Sequence, residues 1–217
     1  FRGLYCLAAL TGDARLHEIS SRWIEAVLSG QDDDGYFGAR AHKRVVGTNG
    51  QAITDFWPHM VMLDALTSHF ELTGDERVVP FMTRFFEFCH ALPPERFLPR
   101  VGGAEFESYR RGFGNWKVGV QMKRAGDMLT PIYWSYNRTG DERLLDVATR
   151  FFDHILPSTG EWLDTHVVHF TQRFAYSGIF AQQSHEASHA AQPEFWYRQH
   201  MATWGQQPRG IFGADNR

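Results

Sequence analysis

The chain has 217 residues and a formal net charge of −3, and 43% of its residues are hydrophobic and 15% aromatic. This composition is ample for one globular core, and we treat residues 1–217 as a single domain. No basic stripe points to nucleic acid, and no apolar run approaches the roughly 20 residues of a membrane span, so we expect neither partner. Cys6 and Cys89 lie far apart in apolar stretches, which favours free thiols over a disulfide.

The first part of the chain predicts two antiparallel helices. Residues 1–10 have the pattern of a helix interior, and Arg15 to Leu28 form its partner, with Ile19 and Trp23 on one apolar stripe. Because the sequence begins inside a helical pattern, we expect the protein to start upstream. A signal peptide is therefore neither shown nor excluded, and the compartment stays open with the cytoplasm preferred.

A loop rich in turn residues follows, QDDDGYFG at residues 31–38. Gly35 is predicted to take a positive φ. A calcium loop would need ligands at alternate positions and a terminal carboxylate, which this segment lacks, so its aspartates are interpreted as a solvated loop. Residues 39–54 continue as a polar connection.

The next two predicted helices differ in how their apolar residues are distributed. The helix from Asp55 to Leu72 is apolar around much of its circumference, whereas the helix from Glu76 to Leu92 has one apolar stripe. An inner helix is covered on all sides and an outer helix on one side. The alternation therefore favours an α/α toroid over an open superhelical stack, which normally has shorter repeats.

Residues 93–124 form the longest stretch without a clear helical pattern, with three prolines and the run RRGFGNWK. We expect an irregular loop here, and its aromatic residues, which include Trp116, argue against disorder. Such a loop would either cover the mouth of a cavity or pack over its rim.

Residues 124–152 predict a complete helical hairpin. Asp127 is placed as the N-cap of the first helix, and Thr139-Gly140-Asp141 ends that helix and starts the next. The same turn occurs at Thr11 and Thr73, with spacings of 62 and 66 residues, and a degraded copy begins at Ser184. The repeat predicts an all-α array of helical hairpins, each of which needs its neighbours to bury its apolar face.

Polar residues at equivalent ends of the inner helices are expected to share one mouth of such a ring. The starts of the three inner helices carry the following candidates: Asp55, Trp57, His59, Asp127, His166 and His169. Imidazoles and carboxylates can bind sugar hydroxyls, and an indole can stack on a sugar face. The alternative is that the aspartates are helix caps and that His59 is a satisfied core histidine.

A second motif matches HExxH at His185-Glu186-Ala187-Ser188-His189. On a helix it would offer two zinc ligands and a general base. The match falls where the other repeats have their turn, and Pro193 makes a long continuous helix doubtful, so a polar turn or helix start is preferred over a metalloprotease site.

Glycoside hydrolysis needs two carboxyl groups at a set distance, which a sequence cannot supply. The candidates near loops are Asp34, Asp55, Asp127, Glu161, Asp164 and Asp215. The sequence has no Gly-rich phosphate loop, no G-x-S-x-G elbow and no C-x-x-C pair.

Five stretches carry a resemblance to a known family: DDDGYFG, FWPHMVMLDALTSHFELTGDERV, GDMLTPIYWSYNRTGDERLLDVATRFF, HVVHFTQRF and HMATWGQQPRGIFGADN. They resemble glycoside hydrolase family 127, the β-L-arabinofuranosidases, over nearly the whole chain. The resemblance implies an (α/α)6 barrel that hydrolyses terminal β-L-arabinofuranosides with retention. It also implies a zinc-bound cysteine nucleophile, which zinc would hold as thiolate, and a glutamate acid/base.

Carried over by position, His59 and His166 match substrate-binding histidines of the family, and Asp127 lies near another sugar contact, with Trp57 and Trp116 as further binding candidates. The acid/base position falls near Asp215, which is the weak catalytic candidate. The family's Glu-x-Cys and Cys-Cys zinc ligands are absent from these 217 residues. We therefore expect the central part of a barrel, incomplete at both ends, with zinc and hydrolytic activity belonging to the full-length protein only.

Two other readings stay open on sequence grounds. The chain could be a non-catalytic helical array that binds carbohydrate or a protein, or another α/α-barrel sugar enzyme such as an unsaturated uronyl hydrolase or a sugar epimerase. The sugar, its linkage and the oligomeric state do not follow from the sequence.

Overall fold

The computed structural model describes residues 2–98, 103–155, 167–206 and 211–212. In these ranges the fold is all-α, with four helical hairpins in succession. Their inner helices are α1 (Arg2–Thr11), α4 (Trp57–Thr73), α7 (Leu129–Thr139) and α9 (Val167–Ser184). Their outer helices are α2 (Ala14–Ser29), α5 (Val78–Ala91), α8 (Arg143–Phe152) and α10 (Ala187–Trp204). The inner helices contact one another in chain order, so the hairpins stack side by side in two layers.

The predicted difference between inner and outer helices is confirmed for the second hairpin. Most of α4 is buried or half-buried around its circumference until its last turn, with Val61 as an exposed exception. In contrast, α5 exposes the stripe Pro80, Arg84 and Glu87 and buries its opposite face. The buried side chains of the hairpins form one continuous core rich in phenylalanine.

The repeated turn has one geometry in all four hairpins. The three glycines of the Thr-Gly-Asp turns have φ between 66° and 69°, and Gly35 is also positive, as predicted. In each of these turns the threonine hydroxyl accepts the aspartate N–H, and the aspartate carboxylate accepts an N–H of the next helix.

The degraded fourth turn keeps this geometry without glycine. His185 takes the glycine position with φ 56°, and Ser184 Oγ accepts the N–H of Glu186. The helix after it, α10, runs on through Pro193, so the doubt about a long helix was wrong. The proline ring packs against Gly178 of α9, where a Cβ would meet the ring at 2.8 Å, so the fourth hairpin is closely packed at this point.

The prediction of an irregular stretch at 93–124 was wrong. Residues Gly103–Arg124 form the helix α6, preceded by a short 3-10 turn at Pro94–Arg96. Its glycines looked like helix breakers, but Gly112 serves close packing, because a Cβ there would lie 2.3 Å from the side chain of Asn49. Tertiary contact therefore outweighs the low helix propensity of glycine.

The polar connection at 39–54 also contains structure. It holds α3 (Arg40–Lys43) and a small antiparallel pair, β1 (Val45–Val46) with β2 (Ala52–Ile53). This pair packs on α6 through the Thr48 N–H, which donates to the Gly112 carbonyl at 2.9 Å. A second antiparallel pair joins β3 (Gly205–Gln206) to β4 (Ile211–Phe212).

The helices α3 and α6 and the β1–β2 pair form a lobe over the start of α4. Ile53, Tyr109 and Met122 make a small core of their own, separate from that of the hairpins. The lobe is tied to the inner layer by Gln121, whose side-chain oxygen accepts the N–H of Phe56 at 2.8 Å. Within the described ranges, no helix has the length and apolarity that crossing a bilayer requires.

Candidate functional site

His59 lies in the first turn of α4 and is 2% exposed. Its ring stacks on Phe85 with 4.9 Å between centroids. The rings of Tyr36 and Phe37, from the loop after the first hairpin, meet it edge-on at 5.1 and 4.8 Å. His59 is therefore a core histidine in its packing, held between two hairpins.

The hydrogen bonding of His59 fixes its tautomer. Its Nε2 lies 2.7 Å from the carbonyl oxygen of Phe37, and because a carbonyl only accepts, Nε2 carries the hydrogen and donates. Burial lowers the pKa of His59 to about 4, so the ring is neutral at pH 7. Nδ1 is then a bare acceptor, and this buried atom has no partner within the described ranges.

Asp55 is buried just ahead of α4, and its carboxylate makes two contacts. One carboxylate oxygen accepts the N–H of Trp57, the first residue of α4, at 3.1 Å, but the N-cap position itself is Phe56, one residue later than the interpretation as a cap expected. The other lies 2.9 Å from Nδ1 of His42, a half-exposed histidine on α3. A buried carboxylate that orients an imidazole is an arrangement that general bases use.

An open depression of about 600 Å³ lies beside α3 and is lined by charged side chains. Lys43, one of them, bridges Asp32 and Asp34 with distances of 2.6 and 2.8 Å. The opposite charges of this wall largely compensate each other, so the depression shows no clear preference for one sign of ligand.

Asp127 does not cap α7, contrary to the sequence prediction. It lies in a 3-10 turn, Ala125–Met128, and the N-cap of α7 is Met128, which offers no side-chain bond. Arg124 Nε donates to Oδ2 of Asp127 at 2.7 Å, and the hydroxyl of Tyr176 donates to Oδ1. The physical reason is that a charged partner three residues back and a phenol from α9 hold this carboxylate instead of the helix N–H groups.

The carboxylate of Asp127 therefore joins the start of one inner helix to the middle of the next. Burial, followed by the charge of Asp127, raises the pKa of Tyr176, so this phenol remains a donor. Arg124 also donates to Gln172 on α9. The side chain of Asp127 is still 23% exposed, so the carboxylate is held in place and reachable from solvent.

Two further cations share this part of the inner layer. Arg173 on α9 is 7% exposed, and burial lowers the pKa of its guanidinium to about 10. Lys123, near the end of α6, is half-buried, and burial followed by repulsion from Arg173 lowers the pKa of its ammonium group. The surroundings of Asp127 are thus strongly polar.

The sequence predicted that polar side chains at the starts of three inner helices share one mouth. The structure describes these side chains at only two of the three helix starts. His59 and Asp127 lie at the starts of neighbouring inner helices, and no hydrogen bond joins their side chains. His166 and Asp215, like Glu161 and Asp164, lie outside the described residues. Trp116 lies in α6, but its side chain is outside the described part, and Trp57 packs half-buried against the core.

The described residues do not fit a zinc–thiolate centre. In the described ranges no group of three His, Cys, Asp or Glu side chains could hold a metal ion. Cys89 is fully buried, and burial raises the pKa of its thiol, the opposite of what an activated thiolate needs. Cys6 is a free, half-buried thiol.

The HExxH match does not form a metal site. His185 lies in the turn before α10, whereas His189 lies on that helix, 2.8 Å from Ser184 Oγ and against the ring of Phe180. The two histidines therefore do not share a helix face, and the preference for a polar turn is confirmed.

Sequence reasoning missed four residues of this region. Arg124 could have been found from its spacing of three residues before Asp127. Tyr176 and His42 could not, because their partners are distant in sequence and depend on how helices pack. Gln121 carries no signal in the sequence either; its side-chain nitrogen is buried without a partner in the described ranges.

One of three comparisons with known proteins finds a match. A search of the curated proteins and a search of the solved structures each find no match. The family model described as β-L-arabinofuranosidase, GH127 catalytic domain, matches residues 2–190. This match covers most of the chain and supports a glycoside hydrolase-like protein with carbohydrate as its class of substrate. The chain therefore belongs to the GH127 β-L-arabinofuranosidase catalytic-domain family.

Proposed function

We propose that the starts of the inner helices bind a terminal β-L-arabinofuranoside or a closely related sugar, as part of a retaining glycosidase. The proposal depends most on Asp127. Its carboxylate is fixed by Arg124 and Tyr176 yet 23% exposed, so it can accept hydrogen bonds from sugar hydroxyls without a large entropic cost.

Trp57 and His59 support the same mouth from the neighbouring repeat. The half-buried indole of Trp57 offers an apolar face of the kind on which sugars stack. The neutral ring of His59 keeps Nδ1 as an acceptor for a hydroxyl, although a sugar would reach this buried atom only after local adjustment. His166, Trp116 and the weak acid candidate Asp215 remain predictions for this site.

The second candidate substrate is a sugar acid. Arg173 and Lys123 place two cations near each other, and burial followed by repulsion from Arg173 lowers the pKa of the lysine. Cations of this kind bind carboxylates well. This pair of cations supports an unsaturated uronide, and therefore an uronyl hydrolase, as the second candidate.

We propose that hydrolysis itself requires the full-length protein. The family's zinc–cysteine chemistry does not fit the described residues, and their fully buried Cys89 cannot replace its nucleophile. The 217-residue chain is therefore expected to bind sugar and to release no product from p-nitrophenyl β-L-arabinofuranoside.

Calorimetric titration of the chain tests the proposal. Methyl β-L-arabinofuranoside is expected to bind more tightly than sodium glucuronate, and Asp127→Asn to weaken binding about tenfold or more, the loss expected for one charge-assisted hydrogen bond. Asp13→Asn is the matched control, since Asp13 is an exposed helix cap and asparagine caps equally well.

Three results would count against the arabinofuranoside proposal. Equal affinity of Asp127→Asn and the parent chain would remove Asp127 from the site. Tight binding of glucuronate alone would favour the uronide. Product release by the 217-residue chain would show that the catalytic groups lie within it.

A further inference from the structure

His42 and Asp55 form a hydrogen-bonded pair beside the start of α4. Oδ2 of Asp55 lies 2.9 Å from Nδ1 of His42, and Oδ1 accepts the N–H of Trp57 at 3.1 Å. Because a carboxylate only accepts hydrogen bonds, Nδ1 of the neutral imidazole carries the hydrogen and donates it. Nε2 of the same ring is then an acceptor. The pair therefore selects one tautomer of His42.

The acceptor atom of His42 can be reached from solvent. The side chain of His42 is 40% exposed, although that of Asp55 is only 9% exposed. Nε2 of His42 makes no hydrogen bond to any described residue and, unlike Nδ1 of His59, it is not buried. An accessible acceptor on an oriented ring is available to a ligand that donates a hydrogen bond.

The backbone around His42 is held by neighbouring segments. The N–H of Asp55 donates to the carbonyl of His42 at 2.8 Å, and the hydroxyl of Thr54 donates to the carbonyl of Lys43 at 3.2 Å. Arg96 also donates to the carbonyl of Lys43, at 2.9 Å. Since the ring itself is held by Asp55, little freedom remains to be lost on binding, which lowers the entropic cost of a contact.

The pair lies at the same end of the inner helices as the proposed sugar site. Asp55 lies just before α4, and its carboxylate bonds the first residue of that helix, Trp57. Burial is the main cause of the low pKa of His59, and the charges of Asp55 and His42 have smaller effects on it, so both lie near that ring. His42 therefore adds an accessible acceptor to a mouth where the acceptor of His59 is buried.

His69 provides a comparison, because it is a histidine with a similar carboxylate partner and a structural role. Its Nε2 lies 3.1 Å from Asp75, and its Nδ1 lies 2.7 Å from the hydroxyl of Tyr5. Its side chain is 13% exposed, and its two contacts join α4 to α1 and to the turn that follows α4. Both ring nitrogens of His69 are used within the fold, whereas one nitrogen of His42 is left for a ligand.

We propose that His42 binds a hydroxyl group of the sugar through Nε2 and that Asp55 is the residue that positions its ring. This inference rests on the sugar-binding function proposed above and names a further contact for it, next to Trp57. Because the neutral ring offers an acceptor and no positive charge, the group that it binds is a hydroxyl rather than a carboxylate.

Calorimetric titration of His42→Asn with methyl β-L-arabinofuranoside tests the contact. The amide of asparagine can donate to Asp55 from about the place of Nδ1, but the residue offers nothing at the place of Nε2. The dissociation constant is expected to rise about fivefold, the loss expected for one neutral hydrogen bond. His17→Asn, at an exposed site on α2, is the matched control and should leave the constant unchanged.

Nitrogen-15 NMR of the imidazole rings tests the positioning role of Asp55. In the parent chain, the neutral ring of His42 is expected to show a hydrogen-free Nε2 whose resonance shifts when the sugar is added. Asp55→Asn keeps an oxygen for the N–H of Trp57 but turns an amide donor towards His42, so the ring hydrogen should move from Nδ1 to Nε2. A residue that only braced α3 would change the melting temperature without selecting the tautomer.

Three results would overturn the inference. If Asp127→Asn weakens binding while His42→Asn binds as tightly as the parent, the sugar site stands and His42 is not part of it. If Nδ1 is the hydrogen-free nitrogen of the parent's neutral His42, Asp55 does not position the ring. If neither the parent nor any variant binds the sugar, the proposed function fails together with this inference. The shift of Nε2 in the parent requires no variant, so it decides the question even if His42→Asn does not fold.

Discussion

His59 and Asp127 occupy comparable places at the starts of neighbouring inner helices, and their surroundings are opposite. His59 is sealed among Tyr36, Phe37 and Phe85 as a neutral ring. Asp127 keeps a partly exposed carboxylate between Arg124 and Tyr176. The repeat therefore specifies where a polar residue lies, while local packing decides whether it serves the core or faces a ligand.

The comparison predicts that His59 contributes mainly to stability. His59→Ala removes a buried ring and its hydrogen bond to Phe37, so the free energy of unfolding should fall by about 3 kcal/mol. Chemical denaturation measures this loss. His17→Ala, at an exposed site on α2, is the control and should change little. Equal losses for the two variants would contradict the assigned core role.

A second prediction concerns pH. Because the pKa of His59 is about 4 in the folded chain and about 6.5 when unfolded, the unfolded state binds the extra proton between these values. Stability from this group is complete above pH 6.5 and falls as the pH drops towards 4, by about 3 kcal/mol in total. Denaturation at pH 7 and pH 4.5 should show a smaller difference for His59→Gln than for the parent, and an equal difference would refute the depressed pKa.

The third prediction concerns the link between α9 and the turn before α7. Tyr176→Phe removes the hydroxyl that donates to Asp127, which should cost about 1.5 kcal/mol, as for a hydrogen bond to a charged acceptor. The same variant should weaken sugar binding, because the carboxylate is held less firmly. Tyr133→Phe, which loses a bond to the neutral Gln183, is the matched control for stability.

The smallest effect is expected at the ion pairs between outer helices. Arg143→Gln breaks the contacts to Glu87 and Asp141. The side chain of Arg143 is 56% exposed, so the loss of stability should be small and should shrink in high salt. Denaturation at low and high salt measures it. A loss of stability that does not change with salt would indicate that packing rather than charge is responsible.

The periodicity of the sequence was sufficient to predict the helical hairpins but not the elements between them. The turn at Ser184 was predicted although His185 replaces glycine, because its position in the repeat outweighs its residue type. In contrast, α6 was missed because the prolines and glycines of residues 93–124 favoured an irregular stretch, whereas one of these glycines, Gly112, makes room for Asn49. Such close approaches depend on distant residues, and a local pattern does not contain them.

The candidate site could also be predicted only in part. The spacing of helix starts pointed to Asp127 and His59, but not to the different environments that they occupy. Those environments come from Tyr176, 49 residues after Asp127, and from Phe37, 22 residues before His59. Only the packing of neighbouring hairpins brings these partners together.

The most direct test of the account is a crystal structure of the chain with methyl β-L-arabinofuranoside. A sugar hydroxyl bonded to Asp127, with the ring within contact of Trp57, is the predicted result. A sugar bound at the other end of the inner helices, in the groove lined by Cys6, Leu72 and Trp134, would contradict the assignment of the mouth.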